Sequence, residues 1–317
     1  MLIHTTFQSL GTDVSFGVLL LAGFSIIGVD VFVMLTGYFS TTPKKMSIIN
    51  LAFVCFFWMI VKVICRYAFG EPITPNDLFF ITTSNWFIPS YIGLLFFAPI
   101  LNNYCNLMSK KTLWRTVIAL LIIEMWFDWL PPHPSFTLGT NGGHSVVSFL
   151  ILYLLARAIQ LYGLPVWFYK NSLYIYIVCS FLLAFFGLCV HGNDKMVKWV
   201  FYDNNPVVIL SSVAFLLTFE KMKLKQSKFI NHVAKSTLAV LLGHSAIFYI
   251  YTKQFNYLYN HFSGHQLIFY WALVVIIVFC ASIAIDQLRI LLYNPLENFL
   301  KNTIRNNNIF ELPNFIP

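Results

Sequence analysis

Charge is what this chain has least of. Asp, Glu, Lys and Arg make up 10% of its 317 residues, against about 25% in an ordinary soluble domain. Acidic groups are the scarcer sign, 12 against 20 basic. The six cysteines (Cys55, Cys65, Cys105, Cys179, Cys189, Cys280) form no CxxC pair. The opening "MLIHTTFQSLGTD" has neither the basic segment nor the apolar core of a cleavable leader. There is no internal repeat, no low-complexity tract, and no HExxH, GxSxG or Walker loop. These absences argue against a soluble domain, a disulfide scaffold, a dithiol redox site and the commonest hydrolase and nucleotidase motifs. The cysteines lie in or beside apolar segments and read as small buried hydrophobes. The histidines are scattered over loops and separate helices, so no metal is expected.

Apolar residues are what the chain has in excess. They make up 58% of it, with 33 Phe, 16 Tyr and 8 Trp. That composition specifies an integral membrane protein whose first partner is the lipid bilayer. The net charge of +8 would suggest nucleic acid in a soluble protein; here no nucleic-acid partner is expected, because the charge is sorted by side. Apolar runs near the spanning length of about 20 residues fall at about 16–39, 46–69, 84–106, 112–130, 145–162, 171–191, 205–220, 236–252 and 266–290. The expected fold is all-α, a polytopic membrane helix bundle of about nine spans. Short linkers leave room for one membrane domain over 1–317, with 293–317 as a polar tail.

Fifteen of the twenty basic residues sit in alternate connections: Lys44, Lys45, Lys110, Lys111, Arg115, Arg157, Lys170, the lysines of 221–235, Arg289, Lys301 and Arg305. The intervening connections hold only Lys195, Lys198 and Lys253. The positive-inside rule makes the first set cytoplasmic, and the tail with it. Residues 1–27 then start outside, and 1–27 reads as the remnant of a first helix followed by an extracytoplasmic segment.

The stretch "IGVDVFVMLTGYF" (27–39) carries Asp30 inside an apolar run. An ionised carboxylate in lipid costs roughly 2.5–3.5 kcal/mol on insertion scales, so such groups face protein or a wet cavity. Lys62 and Arg66 lie four apart near the outer end of one span, and Glu124 and Asp128 four apart in the outer half of another. Asp30 and His144 fall at a similar depth. The expectation is a buried network in which Lys62 and Arg66 meet Glu124 and Asp128, with Asp30 and His144 nearby. It reads either as an ion-pair clasp that aligns helices or as a functional cavity.

"GVDVFVMLTGYF" resembles the second-helix signature of the membrane-bound acyltransferase 3 family. "NWFIPSYIGLLFFAPILN", "NGGHSVVSFLILYLLARAI", "AKSTLAVLLGHS" and "IDQLRILLYNPLE" resemble later spans of that family, in order. The resemblance implies a ten-helix enzyme, of the type that O-acetylates surface polysaccharides, whose first helix is missing or truncated here. It moves an acyl group, usually acetyl from acetyl-CoA, to a carbohydrate hydroxyl, in a bacterial plasma membrane. The family histidine is matched by His4 and its third-helix cation by Arg66. Imidazole suits a base near neutral pH, Arg66 suits a developing oxyanion, and Asp30 suits orientation of His4 or sugar hydroxyls. Lys62, Glu124, Asp128, His144, Trp86 and Tyr91 are candidate substrate-binding residues, the two aromatics equally explicable as interface anchors. The 221–235 lysines suit CoA phosphates or anionic lipid. Two other functions remain open: export of a glycan or lipid-linked sugar, and a non-catalytic truncated member.

Overall fold

The computed structural model describes residues 15–78, 85–130, 139–222, 225–246, 257–258, 260–262 and 264–303. Among them the regular structure is all helix, with no strand. In chain order the helices are α1 (Phe16–Ser25), α2 (Gly28–Tyr38), α3 (Lys45–Ala68), α4 (Pro75–Leu78), α5 (Phe87–Leu107), α6 (Lys110–Glu124), α7 (Val146–Tyr162), α8 (Val166–Cys189), α9 (Asp194–Val200), α10 (Pro206–Lys221), α11 (Lys228–Ala234), α12 (Thr237–Ala246) and α13 (Gly264–Thr303). Four segments are long and apolar enough to cross a membrane: Phe16–Tyr38, Lys45–Ala68, Val166–Cys189 and Phe269–Asn302. The first is α1 and α2 together, broken at Ile26–Ile27. The other expected spans that are described are helical too, but α6, α7 and α10 are only 15, 17 and 16 residues long.

Local signals explain the boundaries. Ser109, Ser145 and Asn205 each accept a hydrogen bond from a first-turn N–H, and Pro206 sits where a missing N–H costs nothing. Pro165 stands just before α8, and Gly163 closes α7 at φ +63°.

The helices sort into two compact units. One holds α3, α4, α11, α12 and α13. Its centre is Trp58 of α3, fully buried, against which Gly243 of α12 packs closely. Asp286 and Arg289 of α13 form a buried ion pair there, with Ser236 Oγ donating to Asp286 at 2.7 Å and Arg289 donating to Asn50 at 3.2 Å. His244 is buried in α12, and its Nδ1 sits 3.2 Å from the Val240 carbonyl.

The second unit holds α1, α2 and α5–α10. Its axis is α7, buried on nearly every face from Phe149 to Ile159, the pattern of a helix enclosed by others. Gly37 of α2 makes that enclosure possible. A Cβ there would lie 2.6 Å from the Tyr153 carbonyl oxygen, so only glycine lets the two backbones approach. The outer face of α8 is the converse: Tyr174, Phe181, Phe185 and Phe186 are exposed. In water such a face would be a liability; toward lipid it carries no penalty.

Candidate functional site

The second unit buries four carboxylates: Asp30, Glu124, Asp128 and Asp203. Neutral groups hold three of them. Ser148 Oγ of α7 donates to Glu124 Oε1 at 2.5 Å. Asp128 Oδ2 accepts from the Gly142 N–H at 2.7 Å and from Asn204 Nδ2 at 2.6 Å. Ser212 Oγ of α10 lies 3.1 Å from Asp30 Oδ2, sharing its proton with the Val208 carbonyl. The fourth, Asp203, lies 3.3 Å from His144 Nε2. Asp203 and Glu124 are within electrostatic range of Asp30, and Asp128 of Glu124. The four groups thus form one cluster.

Local sequence builds this cluster. α6 ends at Glu124 and continues as a π-helical turn, Met125–Trp129, which carries Asp128. Single π turns recur at functional sites because the widened ladder re-aims a side chain. Trp129 stacks on Trp199 at 5.1 Å and 9°, and its carbonyl accepts from Trp199 Nε1. That pair ties the turn to α9. The "NGGH" stretch supplies the other wall. Asn141, Gly142 and Gly143 all have positive φ, conformations cheap only for glycine or asparagine. A Cβ on Gly143 would lie 2.6 Å from Asp203 Cβ and 2.8 Å from Asn204 N. The two glycines therefore let this loop press against Asp203–Asn204 and turn one N–H onto Asp128.

Several buried acceptors in the cluster have no hydrogen-bond partner among the described residues: Asp30 Oδ1, Thr140 Oγ1 and Asn204 Oδ1, with Ser211 Oγ next to Ser212. Such atoms are rare in native structures, since each costs about 1–3 kcal/mol when unsatisfied. A ligand rich in O–H or N–H donors fits them. The carboxylates do not gather as a metal-ligand set among the described residues.

The basic residues lie in the first unit and meet a carboxylate the sequence did not single out. Lys62 Nζ is 3.0 Å and Arg66 Nη1 3.4 Å from Asp77 Oδ1, and Arg66 Nε donates to the Pro72 carbonyl at 3.0 Å. Asp77 Oδ2 accepts from the backbone and hydroxyl of Thr74, both at 2.8 Å. Burial alone would raise the Asp77 carboxyl; the Thr74 hydrogen bonds and the Lys62 ammonium outweigh it and hold it below the usual value. Within the first unit Lys62 and Arg66 thus meet Asp77, and within the second Glu124 and Asp128 take neutral donors. The signal was present in "TPND", a threonine N-cap, proline at the first helical position and a carboxylate three residues on.

The other expected site residues are placed as follows. Asp30, Glu124, Asp128 and His144 come together in the second unit, the histidine through Asp203. Tyr91 of α5 packs against α2, its ring 5.3 Å from Phe32 and its hydroxyl 3.5 Å from Thr36 Oγ1. Trp86 makes an edge contact with Phe87. His4 lies outside the described residues. Ser148, Thr140, Asn204 and Ser212 were missed, because short neutral residues in apolar helices and loops carry no charge pattern; Asp203 was missed because it sits in the polar stretch "DNN" between apolar segments, where a carboxylate draws no notice.

Residues 1–286 match the family model of an acyltransferase domain. The chain belongs to the acyltransferase 3 family. No curated protein and no solved structure matches it. Membership of this family makes the protein a membrane acyltransferase in general terms. Asp30, one member of the cluster, lies in the signature helix that carries the family resemblance.

Proposed function

We propose that this protein is an O-acyltransferase that moves an acetyl group from cytoplasmic acetyl-CoA to a hydroxyl of a surface or exported carbohydrate. One observation carries the acceptor half of this reading. Among the buried groups of the second unit, Asp30 Oδ1, Thr140 Oγ1 and Asn204 Oδ1 have no donor among the described residues, and a polyhydroxylated ligand supplies donors in number. Neutral hydrogen bonding of Glu124 and Asp128 within the unit supports the same ligand class, since hydroxyl, amide and backbone donors leave their remaining acceptor capacity for a ligand.

The chemistry is an ester exchange. The sugar oxygen attacks the thioester carbonyl carbon and loses its proton to a base; the carbon–sulfur bond breaks, and the CoA sulfur leaves and is protonated. In the family resemblance His4 is the base and Arg66 faces the charge that develops on the carbonyl oxygen. Asp77 fits the role of positioning residue for Arg66, because it fixes the guanidinium without neutralising it by proton transfer. Asp30 acts as an acceptor of sugar hydroxyls. By this reading the enzyme sits in a bacterial plasma membrane with its basic loops and tail in the cytoplasm.

Membrane vesicles carrying the full chain, given labelled acetyl-CoA and a glycan acceptor, test this. Label should pass to glycan, and His4→Ala and Arg66→Ala should each lower the rate at least about a hundredfold, the scale of a lost general base or oxyanion donor. Glycan export that proceeds without acyl-CoA, with no label transferred, would replace the enzyme by a transporter.

A further inference from the structure

Arg157 is buried near the C-terminal end of α7, 4% exposed, yet meets no carboxylate among the described residues. Its Nη1 donates to Ser40 Oγ and, at 2.8 Å, to Gln160 Oε1; its Nη2 donates to Asn106 Oδ1 at 2.8 Å. All three partners are neutral. Its Nε is buried with no hydrogen-bond partner among the described residues, and a further polar group within reach of the guanidinium there, the buried Cys105 thiol, is neutral as well. A guanidinium cannot shed its charge, and a buried ion without a counter-ion is costly. The dipole of α7's last turn offsets only a small part of that.

The surroundings are built rather than incidental. Ser40 holds φ +51°, a conformation that costs energy for a residue other than glycine and tends to be kept where it is used. Its carbonyl accepts from Asn102 Nδ2 at 3.2 Å, and Asn102 Oδ1 accepts from the Tyr153 hydroxyl at 2.8 Å. The residue that presents its hydroxyl to Arg157 is thus locked from behind by α5 and α7. Asn106 and Gln160 are exposed, so the guanidinium lies just under the surface behind two amides. Lys110 and Lys111, exposed in the first turn of α6, follow Asn106 closely in the chain. By the charge asymmetry of the connections this end of the unit is the cytoplasmic one.

We infer that Arg157, framed by Ser40, Asn106 and Gln160, is a binding site for a phosphate group. A phosphate oxygen pair matches the planar fork of a guanidinium, and the neutral frame leaves the positive charge for the ligand. Two sources share this chemistry: the phosphates of a CoA-type donor and the headgroup of an anionic phospholipid. The inference stands on Arg157's charge balance and does not need the carbohydrate reading.

The test uses purified full-length protein in nanodiscs. In zwitterionic discs, binding of CoA and of inorganic pyrophosphate is measured; in discs containing phosphatidylglycerol, the thermal midpoint is compared with that in zwitterionic discs. Arg157→Gln removes the cation. Asn106→Asp is an isosteric change at an exposed position that supplies an internal carboxylate; an unchanged size-exclusion profile and thermal midpoint in zwitterionic discs separate loss of the site from misfolding. Binding of CoA and pyrophosphate about tenfold or more weaker in both variants identifies a soluble phosphate donor. A midpoint raised by phosphatidylglycerol in wild type and not in the variants identifies lipid. If neither source shows an effect that depends on Arg157, or Asn106→Asp binds as wild type does, the inference is wrong. Acyl transfer that fails while phosphate binding persists would count against the proposed reaction alone.

Discussion

At the scale of residues, the pattern to explain is that carboxylates in an apolar chain are held in two different ways. Asp77 is a charge anchor: two basic side chains and two Thr74 donors converge on it. Glu124, Asp128 and Asp30 instead take hydroxyl, amide and backbone donors, which bind a carboxyl without cancelling it. Asp77→Asn should therefore be the costly change. It leaves Lys62 buried beside a neutral amide, at about 3 kcal/mol, the low end for a broken buried pair because Arg66 is partly solvated. Thermal unfolding in detergent measures the loss. The sign of the pH effect follows from the depressed Asp77 carboxyl. Its contribution is fully present above the ordinary aspartate value of about 3.9 and disappears as pH falls through the lower folded value. Wild type should lose stability relative to Asp77→Asn on acidification in that window, and parallel curves there would remove the anchor from the account.

At the scale of elements, close helix contact and local distortion decide where these groups sit. The α2–α7 seam depends on Gly37 facing the Tyr153 backbone. Gly37→Val should destabilise by about 1–3 kcal/mol, the usual range for overpacking, and lower the yield of folded protein in a fluorescence-detected size-exclusion profile. A profile like wild type would mean the seam is looser than described. The π turn shows what the sequence could and could not reveal. Spacing placed Glu124 and Asp128 on one α-helical face, and both are buried. The turn between them, and their neutral partners on α7 and before α10, depend on contacts distant in sequence, which no periodicity encodes. The same holds for Asp77. "TPND" encodes a local cap, but that the cap's carboxylate also takes Lys62 and Arg66 is set by how α3 and its following loop fold together.

At the scale of the whole molecule, hydropathy made the helical membrane class legible, and the signature around Asp30 made the family legible. The exact set of spans was less so, because helices such as α7 are apolar on account of protein burial rather than lipid contact. Charge asymmetry makes a further claim about sidedness. A cysteine placed at Lys111 should react with an impermeant maleimide only from the cytoplasmic side, and one at Gly192 only from the outside; the reverse would invert the orientation. The central claim is that the buried acceptors of the second unit receive the hydroxyls of a carbohydrate. It is tested most directly by the acceptor KM of Thr140→Val, a near-isosteric change that removes one unpartnered hydroxyl while leaving the Thr140 carbonyl in place. Acetyl transfer in vesicles should show an acceptor KM raised about tenfold, on the scale of one hydrogen bond in a buried site, with the KM for acetyl-CoA unchanged. An acceptor KM equal to wild type, or a shift confined to acetyl-CoA, would contradict it.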